Sequence, residues 1–309
     1  GESDTGCCSV SDVDDARRVA QQLDIDHLVF NFGDDFDRHV VEPYVTAHAT
    51  GWTPNPCVEC NRHVKFDRLL RRADQLGFDA VATGHHARVG RTSSGRFTLE
   101  RGADAAKDQS YVVHMLDQAA LARTLFPVGD IDKAEVRRLA AERGLRTAAK
   151  PDSQDVCFIS STGGREQFLG DRIELRPGRV VDRAGTPVGT VAAVELVTIG
   201  QRRGLGLPGG GPKRYVVDVD VDAGEVVVGE DGDLFDAGLE VTAVTWTDGV
   251  VDGTVRVQCS AHGASHPARI AVADAHGTDV AVQWAAPQRR VAPGQSVVFY
   301  DAADRRVLG

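Results

Sequence analysis

The chain has 309 residues, 42% of them hydrophobic and 26% charged, with a formal net charge of −10. This length predicts two or three domains, and no apolar run reaches the roughly 18 residues of a membrane helix, so we expect a globular protein without a membrane partner. The acidic balance argues against a general nucleic-acid coat, because such proteins carry a basic surface. Any contact with a polyanion is therefore expected to be local.

Cysteine usage predicts a cytoplasmic protein. Six cysteines in a chain of this length, including the adjacent Cys7 and Cys8, do not resemble the dense frameworks of small secreted domains. The sequence begins at Gly1 and shows no charged and then apolar leader. We expect the sequence to be truncated at its N-terminus, which leaves the first domain incomplete.

The first half of the chain alternates predicted helices and strands. Ser11 is placed to cap a helix, and the apolar run 28–32 predicts a strand. The apolar positions of 66–76 predict a helix that stops at Gly77, and 79–83 predicts a second strand. Such alternation is typical of a parallel sheet with helices on its faces.

Polar residues follow the second predicted strand. Gly84 and His85 come directly after it, and ligands of open α/β sheets bind at the carboxyl ends of the strands. His85 is equally consistent with an ordinary turn residue, and its spacing does not decide between the two interpretations. A third helix is predicted from Asp132 to Gly144.

From about residue 165 the pattern changes to period two with glycine turns, which is typical of small barrels and sandwiches. The strands expected there are 215–220, 225–229, 239–246, 254–260, 268–275, 280–284 and 296–300. We therefore expect an α/β parallel-sheet domain at 1–164, a central β-rich domain at 165–232, and a small β-barrel domain at 233–309.

Three cysteines lie in two separated motifs. Cys57 and Cys60 form a Cys-x-x-Cys pair after a proline-fixed approach, and Lys65 follows closely, where a cation favours ionisation of a thiol. Cys157 comes about a hundred residues later in a polar stretch. Converging thiols can carry sulfur, hold a metal or cycle as a disulfide, and the pair alone does not choose between these roles. A structural zinc site is disfavoured, because no second Cys-x-x-Cys completes it.

One stretch is basic in this acidic chain. Between Gly200 and Tyr215 there are four cations and no acid. The cations are Arg202, Arg203, Lys213 and Arg214. We expect this glycine-rich loop to face phosphates.

Longer motifs run along nearly the whole chain. They include Thr53-Pro-Asn-Pro-Cys-x-x-Cys-Asn, Ala82-Thr-Gly-His, Lys107-Asp-Gln-Ser-Tyr, Lys150-Pro-x-Ser-Gln-Asp-x-Cys-Phe, Thr198-Ile-Gly-Gln-Arg-Arg-Gly-Leu-Gly206 and Pro293-Gly-Gln-x-x-Val-Phe-Tyr300. Together they resemble the tRNA-specific 2-thiouridylases. The resemblance implies an adenine nucleotide alpha hydrolase-like fold for the first domain, and a transferase that replaces the 2-oxygen of the wobble uridine of tRNA with sulfur.

The resemblance also implies a mechanism. In the family, ATP, with Mg²⁺ expected beside it, adenylates the 2-oxygen, a cysteine persulfide delivers sulfur, and a second cysteine assists release. By motif, Cys157 resembles the persulfide carrier and Cys60 the nucleophile or resolving thiol, so that the spent pair can end as a disulfide. The sulfur is expected from a persulfide donor such as a cysteine desulfurase or a relay protein.

The other site residues are likewise implied by motif. Gly84 resembles an ATP contact. Asn55, Pro56 and Cys57 resemble the loop that meets the target base, although some members of the family have Asp at the position of Cys57. The residues that resemble tRNA contacts are His85, Lys107, Asp108, Gln109 and Gln295.

Two features keep two alternatives open. Because Cys57 is a third cysteine where some members have Asp, one alternative is iron–sulfur-dependent thiolation, in which Cys57, Cys60 and Cys157 hold a cluster. The family's phosphate-binding Ser-Gly-Gly-x-Asp-Ser loop belongs before Gly1 and is not in this sequence. The other alternative is therefore a non-catalytic tRNA-binding fragment that lacks the nucleotide cradle.

Overall fold

The computed structural model describes residues 10–152, 156–159, 163–209 and 211–309. Three helices come first. They are α1 (Val10–Gln22), α2 (33–49, made of Gly33–Phe36, a π-helical segment Asp37–Val41 and Glu42–Ala49) and α3 (56–76, made of Pro56–Glu59, a π-helical segment Cys60–Arg68 and Leu69–Leu76). No helix in these ranges is both long enough and apolar enough to cross a membrane.

Helix α3 carries the Cys-x-x-Cys pair. The residues at the two ends of the helix explain where it begins and where it ends. The Asn55 side chain accepts a hydrogen bond from the Cys57 N–H at 3.0 Å, and Pro56 fills the first helical position. Gly77 ends the helix in the left-handed conformation at φ +78°. The predicted helix and its stop are confirmed, but the helix begins ten residues earlier than the apolar pattern indicated.

Two predictions for the start of the chain were wrong. Helix α1 already includes Val10, so Ser11 lies inside the helix instead of capping it. Residues 28–32 form no strand. Leu28 and Val29 are exposed, and arginine side chains of α3 cover the Phe30 and Phe32 rings instead. An apolar run becomes a strand only when a neighbouring strand satisfies its backbone, and no strand in the described ranges pairs with this one.

A parallel strand pair follows α3. Strand β1 (Val81–Ala82) pairs in parallel with β4 (Thr124–Leu125), so the second predicted strand is confirmed in shortened form. The short helix α4 (Gln118–Leu121) precedes β4. Helix α5 (Lys133–Glu142) begins as predicted, because the Asp132 side chain accepts from the Glu135 N–H at 2.7 Å.

An eight-stranded sheet dominates the C-terminal part. Its strands are β2 (Ala87–Arg91), β3 (Phe97–Arg101), β9 (Phe235–Val241), β10 (Gly253–Gln258), β11 (His266–Val272), β12 (Val280–Arg289), β13 (Val298–Tyr300) and β14 (Arg306–Val307). Their order is β2-β3-β14-β13-β10-β11-β12-β9. The hairpin β2–β3 comes from the first part of the chain, where the sequence analysis placed no strand, so the three domain boundaries remain a prediction.

A four-stranded sheet lies between these parts. It follows helix α6 (Gly164–Gly170) and has the order β6-β5-β8-β7. Its strands are β5 (Gly178–Asp182), β6 (Pro187–Val191), β7 (Tyr215–Asp220) and β8 (Glu225–Gly229). Valines from all four strands fill its core, as expected for β-branched residues on a pleated surface.

One apolar core joins the first and last parts of the chain. Val58 and Phe66 of α3 pack in the same cluster as Leu99 of β3, Tyr300 of β13 and Val307 of β14. The helix with the paired cysteines is therefore supported by the eight-stranded sheet.

Candidate active site

A cavity of about 290 Å³ collects most of the predicted site residues. The predicted residues that line it are Asn55, Pro56, Cys57, Cys60, His85, Asp108, Gln109 and Cys157. Gly84, Lys107 and Gln295 do not line it. The structure thus brings all three motif cysteines to one cavity, although about a hundred residues separate the two motifs.

The helical period of α3 explains why the paired cysteines share the cavity. Cys57 and Cys60 are three residues apart and Asn61 is four residues from Cys57, and both spacings put side chains on the same face of a helix. All three residues line the cavity. None of the cysteines in the described ranges forms a disulfide bond.

An aromatic cluster holds the segment that carries Cys157. The neighbouring Phe158 ring packs against Phe36 and Tyr44 of α2, with centroids 5.6 and 5.4 Å apart, and against Phe168 of α6 at 5.1 Å. The contacts with Phe36 and Tyr44 are edge-to-face, which is a preferred geometry for aromatic pairs. Phe158 therefore anchors the backbone on the C-terminal side of Cys157.

Asn61 is fixed at the cavity wall and is 2% exposed. Its Nδ2 donates to the Val112 carbonyl at 2.7 Å. Its Oδ1 is buried and accepts no hydrogen bond within the described residues. Sequence reasoning did not select Asn61, although its helical spacing from Cys57 would have placed it in the site.

His85 is a neutral cavity residue. Burial, with Lys65 and His86 nearby, lowers the pKa of His85 to about 4. Its Nδ1 lies 2.7 Å from the Thr83 hydroxyl, and its ring packs against Phe66 and Phe126. At neutral pH this side chain can exchange hydrogen bonds without adding a charge.

Asp108 organises the loop beneath the cavity. Its carboxylate accepts from Arg101 Nη1 at 2.6 Å and from the Ser110 hydroxyl at 2.8 Å, and also from the Gly102 and Ser110 N–H groups. The next residue, Gln109, exchanges two 2.9 Å hydrogen bonds with the His86 backbone. These bonds give both predicted tRNA contacts a structural role in the protein itself.

Lys107 lies outside the cavity in a cluster of charges. Its Nζ is 2.9 Å from Asp152, and Lys133 and Arg137 each approach the same carboxylate to 3.2 Å. Hydrogen bonds from Lys107 and Lys133 lower the pKa of Asp152 far below its usual range. Three cations around one carboxylate leave an excess of positive charge just before the Cys157 segment.

Gln295 braces the loop before α3 from the C-terminal sheet. Its Nε2 donates to the Thr53 carbonyl, and the Thr53 N–H donates to the Pro293 carbonyl at 2.8 Å. Thr198, which precedes the basic loop, also reaches the Thr53 hydroxyl at 3.4 Å. The predicted tRNA contact Gln295 is thus engaged with the segment that positions Asn55.

Gly84 is exposed at the carboxyl end of β1. A Cβ built on it would meet open space. The position is therefore accessible to a ligand, as the strand-end rule predicts.

No group of three His, Cys, Asp or Glu side chains in the described parts of the chain is arranged to hold a metal ion. The iron–sulfur alternative therefore stays a prediction.

Comparisons with known proteins cover all three parts of the chain. Residues 1–161 match a family described as a tRNA methyl transferase HUP domain, 166–230 a tRNA methyl transferase PRC-barrel domain, and 236–309 an aminomethyltransferase beta-barrel domain. The tRNA-specific 2-thiouridylase MnmA of Chloroflexus aggregans is 46% identical over 307 residues, which are 98% of this chain and 84% of that protein. This chain belongs to the tRNA-specific 2-thiouridylase family.

Other members of the thiouridylase family are similarly close. The MnmA of Geobacter metallireducens is 44% identical over 311 residues, which are 100% of this chain and 83% of that protein. The MnmA of Mycobacteroides abscessus is 47% identical over 314 residues, with 98% and 85% covered. These matches confirm the family and the fold class inferred from the motifs, with a nucleotide-hydrolase-like first domain followed by two β-rich ones.

Several cavity residues were not selected as site residues. Asn61 and Tyr111 lie within the family motifs, which could have pointed to them. Val112 of the 3₁₀ turn Ser110–Val113, and Ala261 and His262 of the loop after β10, lie outside the motifs, and only the assembled fold brings them to the cavity.

Proposed function

We propose that this protein catalyses the ATP-dependent 2-thiolation of the wobble uridine of tRNA. The observation that carries the proposal is the convergence of Cys57, Cys60 and Cys157 on one cavity. Family membership supplies the reaction class, and the names of the relatives supply the substrate. A cavity of about 290 Å³ is near the lower end of the range for small-ligand pockets, which suits a single everted base.

Cys157 is proposed to carry the transferred sulfur as a persulfide. Its terminal sulfur attacks C2 of the base and displaces the activated 2-oxygen. The Cys60 thiolate then attacks Sγ of Cys157. This attack breaks the bond between Sγ and the sulfur that is now attached to C2, and it releases the thiolated base. A Cys60–Cys157 disulfide remains, and an external thiol must reduce it before the next cycle.

ATP supplies the activation when bound, by turning the 2-oxygen into a good leaving group. In this chain Gly84, exposed at the end of β1, is the proposed contact for it, with Mg²⁺ accompanying the phosphates. Asn55 and Pro56 are proposed to position the base through the start of α3.

The proposed tRNA contacts surround the cavity and its edge. Lys107 belongs to the cation cluster around Asp152, and Gln295 joins the C-terminal sheet to the loop before α3. His85, Asp108 and Gln109 line the cavity. The sulfur donor is proposed to be a protein that hands over a persulfide. The Cys157 thiolate then takes the outer, sulfane sulfur and the donor leaves as a thiolate, so that no separate oxidant is needed.

The test separates persulfide loading from tRNA thiolation. The protein is incubated with a cysteine desulfurase and cysteine, and mass spectrometry then asks which cysteine has gained one sulfur atom. We expect the gain at Cys157, its loss in Cys157→Ser, and an unchanged gain in Cys60→Ser. Cys259→Ser is the matched control, because Cys259 packs against the core of the eight-stranded sheet, where burial raises the pKa of its thiol to about 12.

Thiolation itself is measured on tRNA with ATP and Mg²⁺ added, in a form of the protein that includes the phosphate-binding loop of the family. We expect 2-thiouridine from the wild-type protein and from Cys259→Ser, and none from either Cys60→Ser or Cys157→Ser. Loading of Cys157 without any 2-thiouridine in the wild type would contradict the proposed reaction. Thiolation by Cys157→Ser would contradict the assignment of the sulfur carrier.

A further inference from the structure

The Asn61 amide is held rigidly at the cavity wall with one atom unsatisfied. Its Nδ2 is committed to the Val112 carbonyl, which fixes the orientation of the amide, since an exchange of the two ends would place two oxygens together. The remaining Oδ1 has no donor within the described residues. A buried acceptor without a donor costs about 1–3 kcal/mol, so a fold that keeps one calls for an explanation.

The Asn61 side chain borders a space that a ligand can occupy. Asn61 lies on the same face of α3 as Cys57 and Cys60, and the side chain lines the same cavity as Cys157. The neutral His85 also lines the cavity. A base whose C2 approaches the cysteines would have its adjacent ring nitrogen within the same space.

We propose that Asn61 Oδ1 accepts the N3–H hydrogen bond of the target uracil and thereby selects uridine. This inference rests on the proposed function. Uracil presents a donor at N3 between two acceptors, whereas cytosine presents an acceptor at N3 and would put a lone pair against the fixed Asn61 oxygen. A site built to pair a buried polar group rejects a substrate that leaves the group unpaired. Asn61 is thus a specificity-determining residue that acts on the uridine before its 2-oxygen is activated.

The test removes the N3–H without adding bulk. Two anticodon stem-loop RNAs are compared that differ only at the wobble position, one with uridine and the other with 3-deazauridine, which has a C–H in place of N3–H. Binding is measured by fluorescence anisotropy for the wild-type protein and for Asn61→Ala. We expect the wild type to bind the uridine RNA about 10-fold more tightly, the factor for one buried hydrogen bond, and Asn61→Ala to bind both alike.

A matched control is Thr247→Val. Thr247 Oγ1 is also buried and without a hydrogen-bond partner in the described residues, but Thr247 does not line the cavity. This variant should keep the 10-fold preference. Melting temperatures check that each variant is folded, and a loss of affinity for both RNAs by the same factor in Asn61→Ala would indicate a merely structural role.

The outcomes separate the inference from the proposed function. Equal binding of both RNAs by the wild-type protein would overturn the inference without using any variant. An unchanged preference in Asn61→Ala would also overturn it, because the discrimination would then come from another group. Absence of binding to either RNA by the wild type would contradict the proposed function itself, and with it the inference.

Discussion

We expect Gly294, in the turn between β12 and β13, to determine the position of the loop that leads into α3. Its φ is +89°, a conformation that costs an L-residue about 1–2 kcal/mol. A Cβ at this position would lie 3.3 Å from the Thr53 and Pro54 nitrogens and from Trp52 Cβ. In Gly294→Ala the loop that leads into α3 must therefore shift by a few tenths of an ångström, and Asn55 would shift with it.

Gly95→Ala is the matched control, because it introduces the same strained backbone conformation without the steric contact. Gly95 has φ +84° in the turn between β2 and β3, and a Cβ there meets nothing within 4 Å. Both variants should lose about 1 kcal/mol of unfolding free energy in urea titrations. Misplacement by 1 Å can cost about 100-fold in rate, so the smaller shift in Gly294→Ala should lower kcat/KM for tRNA thiolation by about 10-fold, while Gly95→Ala stays near the wild type. Equal activity of the two variants would refute the bracing role of Gly294.

Three further predictions concern sulfur transfer, tRNA binding and stability. Cys157→Ser should retain wild-type affinity for tRNA in gel-shift assays, since the thiol carries sulfur and is not a phosphate contact; a large loss of affinity would place it in the binding surface. The double variant Arg202→Gln and Arg203→Gln should bind tRNA more weakly, with a salt dependence reduced by about two units of slope. Both side chains are exposed and pair with no acid in the described ranges. Unchanged affinity with a lowered melting temperature would instead indicate that the two arginines stabilise the β-rich domain. His85 has a pKa of about 4 in the folded state and 6.5 in the unfolded chain. The unfolded state therefore binds more protons between these two pH values. The contribution of neutral His85 to the free energy of unfolding is fully present above pH 6.5 and decreases toward pH 4. From pH 8 to pH 5 the wild type should lose about 2 kcal/mol more than His85→Gln in urea titrations, and parallel losses would contradict the buried neutral state.

The sequence predicted local features better than long-range pairing. The cap at Asp132, the helix stop at Gly77 and the period-two strands of the C-terminal half depend on neighbouring residues, and the structure has them. The run 28–32 failed as a strand because a strand needs a partner, which local apolarity does not provide. The hairpin β2–β3 was missed although its two strands pair locally, and only the pairing of β3 with β14 is separated by about 200 residues.

The same division holds for the candidate site. Motifs pointed to the cysteines and to their common cavity, because each motif has its own chemical signature. They did not reveal that Asp108 holds Arg101 and Ser110, or that Asn61 has an unsatisfied oxygen. Those contacts depend on which backbone groups lie nearby in the assembled fold, and a local sequence pattern does not predict them.

The long-range pairing of β3 with β14 sets an order of events during synthesis on the ribosome. Glu100 lies opposite Arg306, about 200 residues later in the chain. Because synthesis adds about 5–20 residues per second, β3 is made about 10–40 s before its partner strand. Throughout that interval its unpaired N–H and C=O groups are open to pairing with another nascent chain. Tyr300 and Val307 also complete the core that holds Val58. A premature stop before β14 would therefore release a chain that has every cysteine of the site but no finished support for the helix that presents two of them.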